Sequence, residues 1–501
     1  MSYKIYPVTS SDISYEGYKI KINGEYVRPD SARVSAMPFN RRWPGHQRSM
    51  DQSELVNFLS LETDEELTFE IEPKEPFKHV EIRPKSLGIV PEIENGKIRF
   101  TLKGSAYFTV EPYGRHNALH IFADPVSRYD IDKNSENVIY YGPGEHDVGI
   151  IYLESNQTLF IDEGAVVYGC VRATDAHNIK ILGRGILDNS RNKEKILFEA
   201  NAVGNSTAVK NAKRLHTIQP EYCTDITIEG ITIRDSLVYN IRPLACRNLD
   251  ISNIKIIGCW RYNSDGIDMH NCENVAIHNC FIRTFDDSIC IKGFDCYYEG
   301  DVEKAVQEAM HRNGENYEDF RNVRITNCVI WNDWGRSLEI GAETRAEHIC
   351  DIVFDSCDII HVTDVALDCQ NVDYADIHDV TFSNINIELD ETIPAPLLQT
   401  SDDHVYTNTD PDYSPAIITA EVLFHYEYSA GGTRRGKNHD ITFSNIRLYG
   451  RQKPKFCFRG YSDEHGTYDI KVEKFYINDK LVEEGEYSTE INEYCKDISI
   501  M

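Results

Sequence analysis

The sequence contains no run of about 18 uncharged apolar residues, so no segment of it is expected to span a bilayer as a helix. Its start, Met1-Ser-Tyr-Lys-Ile-Tyr-Pro7, lacks the basic stretch and following apolar stretch of an export signal. Basic residues are scarce. There are 52 Lys and Arg against 81 Asp and Glu, a formal net charge of −29 and a pI near 5.0. That balance excludes nucleic acid and anionic membranes as partners, because phosphate is bound by clustered Lys and Arg. It also disfavours a polyanionic substrate unless a local basic pocket overrides the mean field. Paired CxxC units are missing too, and with them the expectation of a zinc site.

What is present begins with 14 cysteines in 501 residues. Cys280, Cys328 and Cys357 each follow an apolar strand residue by three positions, in the slot that holds Ile231, Ile254, Ile385 or Ile446 elsewhere. Cysteine here stands in for isoleucine as a small buried hydrophobe. Reduced thiols and a missing export signal together predict a cytoplasmic protein.

That slot belongs to a repeat of Asn or Asp, apolar, x, apolar, x, Asn/Ser/Gly, apolar. It reads Asp225-Ile-Thr-Ile-Glu-Gly-Ile231, Asn248-Leu-Asp-Ile-Ser-Asn-Ile254 and Asn274-Val-Ala-Ile-His-Asn-Cys280, and returns from Asn322, Asp351, Asp379 and Asp440. An earlier member starts at Asn178; uninterrupted starts lie 23, 26, 29 and 28 residues apart, and gaps of 47, 48 and 61 residues hold insertions. Alternating β-branched residues mark short strands, and the Asn or Ser between them marks a bend. Coils of this length predict a right-handed parallel β-helix, stacked about 4.8 Å per coil. The helix is expected over 126–501, with insertions near 189–221, 294–321 and 386–438 walling a binding site. Within the middle one, residues 302–311 have the spacing of a short amphipathic helix. Residues 1–125 alternate differently, as in Glu66-Leu-Thr-Phe-Glu-Ile-Glu-Pro73 and Lys97-Ile-Arg-Phe-Thr-Leu102, which predicts a small antiparallel β-sandwich.

The densest polar cluster is Tyr262-Asn-Ser-Asp-Gly-Ile-Asp268 with Arg283-Thr-Phe-Asp-Asp-Ser288. Asp265 precedes Asp286 by 21 residues and Asp287 by 22, close to one coil, so the three carboxylates are expected to stack on one face. Crowding raises the pKa of at least one of them, and an acid beside an ionised base is what glycosidic cleavage needs. An isolated Asp at a solenoid bend is ordinarily a turn residue, and clustered carboxylates also suit Ca²⁺. A lyase or transferase on the same solenoid would need a basic group, for which Lys292 and Arg283 are the neighbours. A non-catalytic glycan-binding solenoid is the remaining alternative.

Asn263-Ser-Asp-Gly-Ile-Asp268 and Asp286-Asp-Ser-Ile-Cys-Ile-Lys-Gly293 resemble the N-T-D-G-x-D and D-D-C blocks of glycoside hydrolase family 28, the polygalacturonase family. Gly183-Arg-Gly-Ile-Leu-Asp188 and Gly335-Arg-Ser-Leu-Glu-Ile-Gly341 resemble two further segments of it, so the likeness runs over about 137–385. A sandwich before the helix is similar to the layout of family 49 dextranases and isopullulanases. The resemblance implies an inverting hydrolase of α-glycosidic bonds that needs no cofactor or metal. Asp286 would be the general acid, and Asp265 and Asp287 would hold the attacking water. Asn263, Lys292, Arg336, Glu339, Tyr262 and Asp268 are the expected substrate contacts; the rings of Tyr262, Trp260, Trp331, Trp334 and Tyr239 suit sugar stacking and core packing equally. Two departures stand out. Arg336 replaces the family's histidine, and the cationic R-I-K segment that reads a uronate aligns with Leu367-Asp-Cys369. Losing those cations predicts a neutral-sugar oligo- or polysaccharide as substrate, with the insertions closing one end of the cleft for exo action.

Overall fold

The computed structural model describes residues 3–36, 40–41, 52–192, 215–294, 301–390, 393, 397–398, 413–425, 429, 432 and 434–501. Two small sheets come first, and their facing side chains share one core that includes Phe69, Phe100 and Phe108. The predicted strand Glu66–Pro73 forms, and Lys97–Lys103 pairs with it antiparallel. One pairing departs from the antiparallel expectation: Leu119–Asp124 runs parallel to Ser53–Thr63. The chain visits the second sheet between these strands, and that detour supplies the crossover a parallel pair requires.

From Val138–Tyr141 onward the strands stack in parallel coils. One continuous path of 23 strands makes two faces of the solenoid, and a separate sheet of seven makes the third. The seven are Ile267–His270, Ile289–Lys292, Arg336–Ile340, Val365–Asn371, Ala416–Val422, Lys455–Arg459 and Ser488–Ile491. Both polar ends of the repeat are left-handed corners. Asn248, Asn274 and Asn322 have φ of 59°, 58° and 57°, and Asn253, Asn279 and Asn327 have φ of 51°, 55° and 53°. Asn and Asp tolerate that conformation because their short side chains bond locally. The first row is also stitched from coil to coil, with Asn248 Nδ2 donating to Asp225 (2.9 Å), Asn274 to Asn248 (3.0 Å) and Asn322 to Asn274 (2.7 Å).

Cys280, Cys328 and Cys357 fill the isoleucine slot of the core, and every described cysteine is free. Phe354, Phe382 and Phe443 stack through it at centroid distances of 4.5 and 4.8 Å. Phe382 has neighbours on both faces, so Phe382→Ala is expected to cost about 3–5 kcal/mol. A lowered thermal midpoint by circular dichroism checks this, and an unchanged midpoint would contradict the stacking.

The sandwich packs directly on one face of the solenoid. Phe58, Phe122 and Tyr107 meet Phe281, Trp331 and Ile360 in a common apolar cluster. Buried ion pairs frame it: Lys255 Nζ lies 2.9 Å from Asp124, Arg234 Nε 2.6 Å from Asp188, and Arg83 Nη1 2.6 Å from Glu388. Burial pushes the Lys255 ammonium down to about 8, although Asp124 opposes the shift. Strands on this face are therefore buried on both sides, which is why Phe281 and Trp331 break the alternating pattern.

Of the three insertions, the first stops short of its expected end, because Ile218–Glu221 is a coil strand paired with Ala165–Thr174. In the second, a helix spans Val302–Met310 and Asp301 caps it, accepting from the Lys304 amide. Residues 193–214 and nearly half of 386–438, on which the exo expectation rests, lie outside the described residues.

Candidate functional site

Parallel pairing of Ile267–His270 with Ile289–Lys292 offsets the coils by 22 residues, Ile267 facing Ile289. The turns before these strands continue the ladder: the Gly266 amide donates to the Asp287 carbonyl (2.8 Å) and the Ser288 amide to that of Arg336 (2.8 Å). Asp265 thus stacks over Asp287, one coil away as its spacing predicts. Two glycines permit the close approach. A Cβ on Gly266 would lie 2.2 Å from the Ser288 carbonyl oxygen, and one on Gly335 would lie 2.6 Å from an Asp287 carboxylate oxygen. The Asp286 carbonyl is braced by the Thr284 hydroxyl and by Asn332 Nδ2, each at 2.7 Å. Asn240 Nδ2 fixes the Asp265 carbonyl in the same way at 2.6 Å.

Two cations sit among these carboxylates, and each is surrounded. Lys292 Nζ lies 3.1 Å from Asp268, 3.7 Å from Glu343, 3.8 Å from Asp265 and 3.9 Å from Asp287. It also lies 5.2 Å from the centre of the Tyr239 ring. Arg336 reaches Asp368 at 2.8 Å, Glu339 at 3.6 Å, and Asp364 and Asp287 at 3.8 Å. The Arg336 amide additionally donates to Asp287 at 2.9 Å. Burial would discharge both side chains, but their acidic neighbours outweigh it and hold their pKa values well above the ordinary range.

The carboxylates are pushed apart by the same arrangement. Burial, then the charges of Asp268 and Asp286, drives Asp265 well above the usual range and favours its protonated form. Burial also acts on Asp287, yet Lys292 and Arg336 overcome it and keep that group below the usual range. Glu339 is raised by burial and by Asp287. Further along the sheet, burial lifts Asp368 to about 6 and Glu421 to about 7. Stacked titratable groups whose environments push them in opposite directions can supply an acid and a base side by side.

Several expected contacts land elsewhere. Asp268 and Glu339 are fully buried beneath the site and hold Lys292 and Arg336, so they support the cations rather than meet a ligand. Tyr262 is 2% exposed and belongs to the apolar core beside Phe285, which corrects its reading as a sugar-stacking ring. Trp331 is buried under the sandwich, with its indole N–H donated to Asp333. Trp334 stays partly exposed and stacks on Phe285 at 5.9 Å. Asn263 takes a left-handed turn conformation, φ 53°, next to Asp265. Arg283 is buried on the sandwich side with Asp333 and the Trp331 ring. Away from the Asp265–Asp287 turn, Arg242 pairs with Glu221 and Arg434 with Glu347.

Sequence reasoning missed Asn240, Asn332 and Asp364; Glu343, expected beside Arg336, pairs with Lys292 instead. Asp364 could have been found from coil length, since Leu338 faces Leu367 and the 29-residue offset carries the Arg336 segment onto 364–369. The asparagines act through backbone carbonyls and leave no spacing signal.

Asp287, Cys290 and Glu339 could in principle hold a metal ion. Lys292 and Arg336 already neutralise two of them, and a thiol is a poor ligand for a hard cation such as Ca²⁺, so the donor set does not fit one.

The chain is similar to a polygalacturonase of Gossypium barbadense, 29% identical over 174 residues, covering 32% of this chain and 40% of the relative. A probable polygalacturonase of Vitis vinifera is 36% identical over 86 residues, 17% of this chain and 18% of that one. The chain thus spans less than half the length of these curated relatives. Among solved structures, Dex49A from Penicillium minioluteum superimposes with a TM-score of 0.58 at 14% identity, covering 99% of this chain and 98% of that one. A Yersinia enterocolitica family 28 exopolygalacturonase gives 0.51 at 14% identity, covering 87% and 96%. These two likenesses are likenesses of fold. The family model for glycosyl hydrolases family 28 matches residues 140–410, more than half of the chain, and the chain belongs to that family.

Proposed function

We propose that the chain is an inverting glycoside hydrolase that cleaves α-glycosidic bonds in an oligo- or polysaccharide of neutral sugars. The observation that carries this reading is the stacking of Asp265 over the Asp286–Asp287 turn around one shared ammonium, where burial raises the pKa of Asp265 while Lys292 and Arg336 lower that of Asp287. Asp286 protonates the departing oxygen, in line with the family resemblance. Asp287 takes the proton of the attacking water, and Asp265 orients that water. No metal is required for these steps.

The neutral-sugar reading rests on charge. The relatives are named polygalacturonases, whose substrate is anionic. Here Lys292 and Arg336 each face four carboxylates, so neither offers net positive charge to a uronate. The same caging argues against the lyase alternative, because a base must be deprotonated and Lys292 is held charged. Arg283, its other candidate, lies under the sandwich. Buried free thiols support a reducing, cytoplasmic setting.

The test is a panel of neutral oligosaccharides and galacturonan fragments, with the anomer of fresh product followed by NMR. Expected are turnover of a neutral substrate and the inverted β-anomer. A retained anomer would remove the water-holding role of Asp265 and Asp287. Preference for galacturonan would overturn the charge argument, and binding without turnover would leave a glycan-binding solenoid.

A further inference from the structure

On the flank of the solenoid, away from the seven-stranded sheet, successive coils bring histidines and an aspartate together. Register sets His348 beside Asp376 and Cys350 beside His378, and then Asp376 beside Lys437. The His378 ring stacks on His439 at 5.2 Å and 10°, and His439 stacks on Tyr468 at 4.9 Å and 3°. His348 Nδ1 lies 3.2 Å from His378 Nε2, and ligand atoms of His348, Asp376 and His378 all fall within 4.8 Å of one another. His439 Nε2 is 2.8 Å from Asp376 Oδ1, and Lys437 Nζ is 3.0 Å from Asp376 Oδ2.

A second, independent feature concerns the far side of the rings. His378 Nδ1 is 2.7 Å from the Asp379 carboxylate, and His439 Nδ1 is 2.7 Å from that of Asp440. A carboxylate at that position accepts the Nδ1–H, fixes the tautomer and turns the Nε2 lone pair toward the cluster. Metal-binding histidines are oriented by that kind of outer partner. The 3.2 Å nitrogen separation also fits one ion, since two nitrogens bound tetrahedrally at about 2.0–2.1 Å stand about 3.3 Å apart.

We propose that His348, His378 and Asp376 bind one divalent transition-metal ion of the Zn²⁺ type. Imidazole nitrogen with a single carboxylate suits such an ion, whereas Ca²⁺ and Mg²⁺ demand mostly oxygen. Lys437 occupies one Asp376 oxygen, and Oδ1, which also bonds His439, keeps a lone pair for the metal. The ion would join the coils of His348–Asp355 and Asp376–Ser383, and the stabilisation would grow with free metal concentration.

The test uses the full chain, stripped with a chelator and titrated with ZnCl₂ by calorimetry and with CoCl₂ by absorbance. Expected are one ion per chain, loss of that binding in His378→Ala and His348→Ala, and weakening by about 10–100-fold in Asp379→Asn. Zn²⁺ should raise the thermal midpoint of the unsubstituted chain and leave that of His348→Ala unmoved. Far-UV circular dichroism of the metal-free variants checks that they fold. Should His378→Ala fail that check, His348→Ala, which alters an exposed ring, gives the same reading. Absence of stoichiometric binding, binding that survives both histidine substitutions, or a cobalt spectrum dominated by thiolate bands would each overturn the proposal.

Discussion

Asp286→Asn is expected to lower turnover of a natural glycan by about 10²–10⁴-fold with the fold intact. Asparagine has the shape of aspartate but no proton to give the leaving oxygen. Thr284 and Asn332 grip the Asp286 carbonyl, an anchor of the turn that the exchange leaves in place. An aryl glycoside with a good leaving group provides a sharper discrimination. Its departure needs little protonation, so Asp286→Asn should retain far more activity on it than on the glycan. Asp287→Asn should fail on both, because water still needs a base. Kinetics on the two substrates for the two variants check the assignment. Equal losses on the aryl glycoside would remove the division between acid and base, and full glycan turnover by Asp286→Asn would end it altogether.

Lys292→Met should produce the largest loss of stability, about 3–5 kcal/mol, as when one partner of a buried ion pair is removed. Four carboxylates within 3.1 to 3.9 Å would lose their common ammonium, and methionine fills the space without replacing the charge. The pH dependence has a definite sign. The folded-state pKa of Lys292 is raised, so its contribution is complete below the unfolded value of about 10.4 and fades only as pH climbs through the folded value. In the variant, Asp265, Asp268 and Asp287 must ionise unaided. Their pKa values rise, and the deficit relative to the unsubstituted chain widens from pH 5 to pH 8. Urea unfolding at those two pH values measures it. Equal stability at pH 8 would mean that Lys292 is solvated and does not hold the cluster together.

Much of the solenoid was legible because it repeats. The Asn-apolar-x-apolar signature sets coil length, and coil length alone brings Asp265 onto Asp287. Sequence is blind where the cause is packing between distant elements. Tyr262 sits among polar residues in the chain, yet its ring turns inward against Phe285. The docking of the sandwich left only oblique signs, such as Phe281 and Trp331 on a strand face that should have met water. Ion pairing is equally hidden, because Asp364 and Asp368 acquire meaning only when a neighbouring coil delivers Arg336 to them. The parallel pairing of Leu119–Asp124 with Ser53–Thr63 has the same character: alternation shows a strand but does not name its partner.

The row of asparagines behaves as a ruler. Asn274 bonds Asn248 after 26 residues, and Asn322 bonds Asn274 after 48, with the same left-handed corner in each case. Whatever the chain does between two marks, it must return to the next one in phase. The extra residues of the longer interval are therefore spent outside the ruled length, as the helix Val302–Met310 is. Loops beside the seven-stranded sheet can lengthen, shorten or change composition without shifting any carboxylate along it. Loop-swapped variants that keep both flanking asparagines should preserve the Asp265–Asp287 stacking while changing which glycans reach it.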